Sequence, residues 1–349
     1  VKGKATSFDI AYEAGVSQST VSRALRNSPL VSEETRKRIQ EIAKKLNYTV
    51  DKNASSLRSQ TSTTLALLLF EDPTSDDSLV NPFFLSMLGS ITRECGLLGY
   101  DLLVSFQELN TDWHSAFKDS NKADGLILLG YGDYTNYESK LRELVDNGTP
   151  FVRWGAATES VQTTSIGCDN HHGGKQITEH LIQQGRTNFA FVGNVGDGSP
   201  EFMARYQGHC EALKNAGLNT NSGLQSDANN TAEEAYDATM SLLASKIPFD
   251  AVFAASDVIA LGVSNALKTQ GIKVPQDISL VGFDDIPMAS YMSPSLTTCR
   301  QDSTIAGKLL VDKLVELIKG EPVNDAFIKT TVIVRESCGA KQTKYIKPQ

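Results

Sequence analysis

The chain has 349 residues, of which 40% are hydrophobic and 21% charged, a balance that excludes wholesale disorder in a chain long enough for more than one core. The formal net charge of −8 hides an asymmetry: residues 1–60 hold 11 Lys and Arg against 6 Asp and Glu, leaving 22 basic and 35 acidic residues in the rest. A small basic head on a large acidic body points to a polyanionic partner for the head alone.

No membrane span or secretory signal is expected, because the run Leu65 to Phe70 is short and no apolar stretch follows Lys2 and Lys4. Five scattered cysteines without CxxC spacing (Cys95, Cys168, Cys210, Cys299, Cys338) fit reduced thiols in a cytoplasmic setting and neither a disulfide framework nor a zinc ribbon.

In chain order, the first helix opens after Thr6-Ser7, buries Ile10, Ala11 and Ala14, and stops at Gly15, which suits a left-handed turn. A second follows the cap Ser17, with Val21 and Leu25 inward and Gln18, Ser19, Ser22 and Arg23 on the outer face. The third starts at the cap Ser32, carries Glu33 and Glu34 in its first turn, and repeats Ile39, Ile42, Ala43 and Leu46 at helical period. Three short helices with a glycine turn read as a helix-turn-helix, whose exposed second helix fits the DNA major groove. Flanking Lys and Arg then neutralise phosphates.

Residues 9–25, DIAYEAGVSQSTVSRAL, resemble the headpiece signature of the lactose/galactose-repressor (LacI/GalR) family of bacterial regulators, and the match continues through Val31 to Arg36 and Leu46-Asn47-Tyr48. The resemblance implies that Gln18, Ser19 and Arg23 read bases while Thr20, Ser22 and Asn27 hold the DNA backbone. Ala54-Ser55-Ser56-Leu57, in a small polar segment, resembles the hinge helix of that family. Ala54, Ser55 and Leu57 are thus expected at the minor groove, with Leu57 as an unstacking wedge. Val50 replaces the proline common there, which loosens the local φ.

Beyond Thr64, apolar runs alternate with helical patterns. Strands are predicted at 65–70, 102–106, 125–129, 151–154, 189–192, 251–254 and 278–281, and helices at 83–98, 137–146, 173–184, 203–216, 232–244 and 258–270. Strands that are apolar on both faces with helices between them indicate parallel α/β sheets in two lobes. Helix exits echo one another at Leu98-Gly99-Tyr100, Ala216-Gly217-Leu218 and Gln270-Gly271-Ile272. A ligand is expected between the lobes, at the carboxyl ends of the strands.

The body also resembles that family's effector domain, which is itself like periplasmic sugar-binding proteins. Matching stretches are Asn81-Pro82-Phe83-Phe84, Gly167 to Asn170, Arg205 with Gly208, Ala255-Ser256-Asp257, Gly282 to Asp285 and Leu296-Thr297-Thr298. The resemblance implies a pocket lined by Phe83, Arg205, Asp257, Asp284 and Gln301. Where many relatives end a first-lobe strand with Asp, often followed by Arg, this chain has Gly155 and Ala156, preceded by Arg153-Trp154. Trp154 is therefore expected as a stacking wall, and Arg153, if it points inward, favours an anionic sugar derivative; only one of two strand neighbours can face the cleft.

The expected organisation is a headpiece (1–48), a hinge (49–62) and a two-lobed effector and dimerisation domain (63–349). The first lobe is expected at 63–163 and 293–325, and the second at 164–292 and 326–338. His171-His172, Ser115 to Lys118 and the glycine-rich run 193–198 lack the companion residues of a metal, acylase or nucleotide site. Neither an enzyme, a cofactor nor a metal is expected. The reading is a homodimeric repressor that binds a pseudo-palindromic operator and senses a sugar-like metabolite.

Overall fold

The computed structural model describes residues 5–48, 61–70, 80–107, 110–130, 134–156, 161, 163–196 and 198–340. The chain divides into two units, Val1–Ser62 and Thr63–Gln349. The hinge residues Ala54, Ser55 and Leu57 lie outside the described residues.

The head holds helices α1 (Ser7–Ala14), α2 (Gln18–Leu25) and α3 (Glu33–Lys45). Each begins at a hydroxyl cap. Thr6 forms a reciprocal capping box with Asp9, Ser17 accepts from the Thr20 N–H, and Ser32 accepts from the Thr35 N–H. Gly15 closes α1 at φ 63°, where a side chain would be strained. The three helices bury Ile10, Ala11, Ala14, Val21, Ala24, Val31, Ile39 and Ala43 in one small core.

The body is built on two six-stranded sheets. Its elements are β1 (Thr64–Leu69), α4 (Pro82–Leu98), β2 (Asp101–Phe106), β3 (Gly125–Leu129), α5 (Tyr134–Asp146), β4 (Phe151–Trp154) and β5 (Thr164–Cys168). Then follow α6 (Asn170–Gln183), β6 (Phe189–Val192), α7 (Pro200–Asn215), β7 (Gln225–Ser226), α8 (Ala232–Ala244), β8 (Ala251–Ala254) and α9 (Asp257–Thr269). The chain continues through β9 (Ser279–Asp284), β10 (Thr297–Gln301), α10 (Ser303–Ile318), β11 (Ala326–Ile328) and β12 (Thr330–Ile333). The first sheet runs β11-β5-β4-β3-β1-β2 and the second β12-β10-β9-β8-β6-β7. All pairings are parallel except β10 with β12.

Central strands are buried on both faces, as in Leu65 to Leu69 and Ala251 to Ala254, because helices cover each side of a parallel sheet. Gly99, Gly217 and Gly271 all close helices at positive φ, which explains the echoed exits in the sequence.

Lobe membership departs from the sequence expectation at three places. Strands β5 and β11 pair in the first sheet, and β10 pairs in the second. The chain therefore changes lobe after β5, after β10 and after β11, rather than before residues 164, 293 and 326. Two of these crossings run straight into a helix capped by an aspartate: Asp169 accepts from the His172 N–H, and Asp302 from the N–H groups of Thr304 and Ile305. The chain stays in its sheet until the strand is complete, and only pairing partners, which sequence pattern does not encode, reveal this.

Candidate functional site

On the head, Ser17 directs α2 so that Ser19 and Arg23 are exposed while Val21 and Ala24 are buried. Ser19 Oγ lies 2.8 Å from Ser17 Oγ, and other expected DNA-facing residues are engaged within the head as well. Gln18 Nε2 donates to Ser7 Oγ (2.9 Å), and Thr20 Oγ1 lies 2.9 Å from Ser17 Oγ. Arg26 donates to Ser22 Oγ (2.6 Å), and Gln40 Nε2 donates to Asn27 Oδ1 (3.0 Å). Asn27 itself sits at φ 55°. Arg26 is an exposed cation the sequence reading passed over, although its i,i+4 spacing from Ser22 was a usable signal. Phe8, Tyr12 and Leu30 are also exposed apolar residues of the head, at 66%, 93% and 78%.

In the body, Arg205, Asp284 and Gln301 come together from α7, β9 and β10. Arg205 is fully buried; its Nε donates to Asn170 Oδ1 (2.8 Å) and its Nη1 to the Ala255 carbonyl (2.5 Å). The guanidinium lies 3.6 Å from Asp284 Oδ1 and stacks 3.8 Å from the Phe283 ring centroid. Gln301 Nε2 donates to the same Asp284 oxygen (2.6 Å). Planar, charged groups fixed in this way offer directional donors and acceptors to a polyol.

Asp284 and Asp285 have φ values of 111° and 59°, a costly conformation for residues with side chains. The surroundings hold it. Arg300 and Arg335 each reach Asp285 at 2.6 Å, and Asp257 Oδ2 accepts the Ile286 N–H at 2.9 Å. Asp257 Oδ1 also accepts from Thr298 Oγ1 (2.6 Å). Burial and then the charge of Asp284 push the Asp257 carboxyl well above the usual carboxylate range. Asp257 thus braces the turn that aims Asp284.

Phe83 and Trp154 form an aromatic pair in the first lobe, ring centroids 5.7 Å apart. Asn81 caps α4 beside them, and its buried Nδ2 has no hydrogen-bond partner among the described residues. Strand alternation separates Arg153 from Trp154. Arg153 shares the parity of Phe151, which packs in the cluster around Trp113 and not in that of Phe83 and Trp154, and donates to Thr163 Oγ1 (3.0 Å) and to the Ala156 carbonyl; a small cavity at the strand end touches both Arg153 and Trp154. The structure therefore places Trp154, and not Arg153, against Phe83. Two buried polar residues near Arg205 were not among the expected pocket residues: Asn170, its hydrogen-bond partner, which the sequence offered only as part of a matching stretch, and Glu201, one turn before it on α7. The sequence expectation began this helix at Met203, so the buried spacing of Glu201 and Arg205 was not visible.

Among the described residues no cluster of His, Cys, Asp or Glu is arranged to hold a metal, and no helix is long and apolar enough to cross a membrane. His171 instead pairs with Glu211 (3.1 Å).

A helix-turn-helix head joined to a two-lobed α/β body defines a DNA-binding transcriptional regulator. Residues 8–51 match the model for bacterial regulatory proteins of the lacI family, and residues 178–338 that for a periplasmic binding protein-like domain. The chain is 30% identical over 339 residues to the ribose operon repressor of Escherichia coli (strain K12), covering 95% of this chain and 98% of that one. It is 32% identical to the probable HTH-type transcriptional repressor ExuR of Bacillus subtilis (strain 168), covering 94% and 97%. Among solved structures, a complex of the transcriptional regulator CelR with cellobiose superposes with TM-score 0.71 at 27% identity, covering 95% of this chain and 99% of that one. The lac repressor dimer bound to operator shares the fold with TM-score 0.81 at 24% identity, covering 97% and 100%. The chain belongs to the LacI family of bacterial regulatory proteins.

Proposed function

We propose that the protein is a cytoplasmic transcriptional repressor without enzymatic activity, which binds a pseudo-palindromic operator as a homodimer and changes operator affinity when a small sugar-like metabolite binds between its lobes. The observation that carries this reading is the pairing, in one chain, of an exposed Ser19-Arg23 face on α2 with the buried Arg205–Asp284–Gln301 cluster beside a lobe crossing. In this reading Arg23, Ser19 and Gln18 read base edges, Thr20, Ser22 and Asn27 hold phosphates, and Leu57 with Ala54 and Ser55 enters the minor groove. Phe83, Trp154, Arg205, Asp284 and Gln301 surround the metabolite, with Asp257 as the brace of Asp284. Arg153 holds Ala156 and Thr163.

Self-association is supported by the edge strand β2, where Leu103 and Val104 are exposed, and by Leu85, Leu97 and Leu98 exposed on neighbouring α4. Linkage requires the metabolite to prefer one lobe arrangement; a coupling of about 1–3 kcal/mol would change operator affinity roughly 5–150-fold.

The test is selection of bound duplexes from a randomised DNA pool at near-physiological salt, repeated with a panel of sugars. Recovery of a two-fold-related motif, with binding that shifts on addition of one sugar, is the expected result. Sequence-blind, salt-sensitive binding under every condition would overturn the proposal.

A further inference from the structure

Glu201 and Arg205 lie one turn apart on α7 and are both buried, at 3% and 0% exposure; residues at this spacing share a helix face. Arg205 is held within the second lobe by Asn170, Ala255 and Asp284. Glu201 reaches across instead. Its Oε1 accepts the N–H of Ala156, 3.2 Å away in the first lobe, and the Ala156 carbonyl accepts from Arg153, which Thr163 steadies. A chain of hydrogen bonds thus crosses the lobe boundary through one residue, gripped on its carbonyl side by a cation and on its amide side by a carboxylate.

A buried carboxylate is tolerated only while donors satisfy it, and it can accept but never donate. From this geometry we propose that Glu201 is a specificity-determining residue of the cleft, and that it selects a neutral, hydroxyl-bearing metabolite whose O–H takes the place of the Ala156 N–H. The inference rests on the cleft reading above and names the ligand class for it. A ligand that enters between α7 and Ala156 has to supply the donor it displaces. A sugar hydroxyl does so and gains a charge-assisted bond. A carboxylate or phosphate group offers no donor at neutral pH and sets a like charge against Glu201 and Asp284. The guanidinium that argued for an anion in the sequence, Arg153, is bound to Thr163 and the Ala156 carbonyl on the strand face opposite Trp154.

The experiment is titration calorimetry of the full chain against neutral pentoses, hexoses and disaccharides and against their uronic-acid counterparts, for wild type and Glu201→Gln. Wild type is expected to bind a neutral sugar and to discriminate against its acid. Glu201→Gln, which keeps an acceptor for Ala156 but loses the charge, should weaken the neutral sugar roughly 10-fold and narrow the gap to the acid. Wild type binding an acid as well as its neutral counterpart would overturn the assignment without any variant, and leave the sugar-sensing reading intact. An unchanged neutral-to-acid ratio in Glu201→Gln would also overturn it, reducing Glu201 to a brace for Ala156. Failure of every sugar to bind wild type would remove the cleft reading and this assignment together.

Discussion

Three buried or exposed side chains carry the consequences that can be read one residue at a time. Arg23 projects from α2 into solvent, so in the DNA-reading role Arg23→Ala should cost about 1–3 kcal/mol and relax preference at one base position. Competition binding against single-base operator variants checks this; uniform weakening on all DNA would assign Arg23 to phosphate. Arg205 serves Asn170 and the Ala255 carbonyl simultaneously with a planar fork, and a lysine cannot reproduce that geometry. Arg205→Lys should therefore leave operator affinity unchanged while shifting the metabolite response by at least about 10-fold, as read by operator binding across a sugar titration.

His209 is buried, with Nδ1 2.9 Å from Thr178 Oγ1, and burial lowers its pKa to about 3. In the unfolded chain it titrates near 6.5. The fold thus keeps it neutral, and its contribution is complete above pH 6.5 and is lost as pH falls toward 3, by at most about 1.4 kcal/mol per pH unit. The urea midpoint of wild type should drop between pH 7 and pH 5, and that of His209→Gln should drop less; identical pH slopes would sink the idea.

Elements meet most closely where α6 crosses α7. A Cβ on Gly174 would lie 2.2 Å from the Arg205 carbonyl oxygen, and one on Gly208 would lie 2.0 Å from that of His171. Backbone contact this tight is what sets Arg205 against Asn170. Gly174→Ala should cost about 1–3 kcal/mol through overpacking, measured by urea unfolding. Gly89, inside α4, faces open space: a Cβ there would meet nothing within 4 Å. Gly89→Ala should therefore stabilise by up to roughly 1 kcal/mol. Equal effects from the two substitutions would contradict this account of the helix crossing.

The elements also show what local pattern conveys. Thr6, Ser17, Ser32 and Gly15 were legible because capping and left-handed turns depend on near neighbours in sequence. Strands β5 (TSIGC) and β10 (TTCRQ) were not, because small and polar residues break the apolar run that marks a buried strand. Helix α10, which packs against α4, likewise stood outside the expected set.

At the scale of the molecule, the proposed operator recognition calls for two heads acting together, so dimerisation through the β2 edge is a prediction with its own consequence. Val104→Lys places a charge on that exposed edge, a natural deterrent to edge contact. Sedimentation equilibrium should report a shift from dimer toward monomer, and operator affinity should fall with it; a dimer that persists would move the interface elsewhere.

By itself the sequence determined the three helices of the head, the alternation of strands and helices in the body, the DNA-binding class of the head and the family of the whole chain. These rest on short-range caps, periodicity and dense motifs, all of which are written in consecutive residues. Only the tertiary structure decided which sheet each crossing strand joins, that Trp154 and not Arg153 packs on Phe83, and that Glu201 reaches Ala156 across the lobes. Those outcomes depend on strand pairing and side-chain direction between residues as near in the chain as Val152 and Thr164 and as far as Ile166 and Ala326, a range over which one sequence pattern is compatible with several partners.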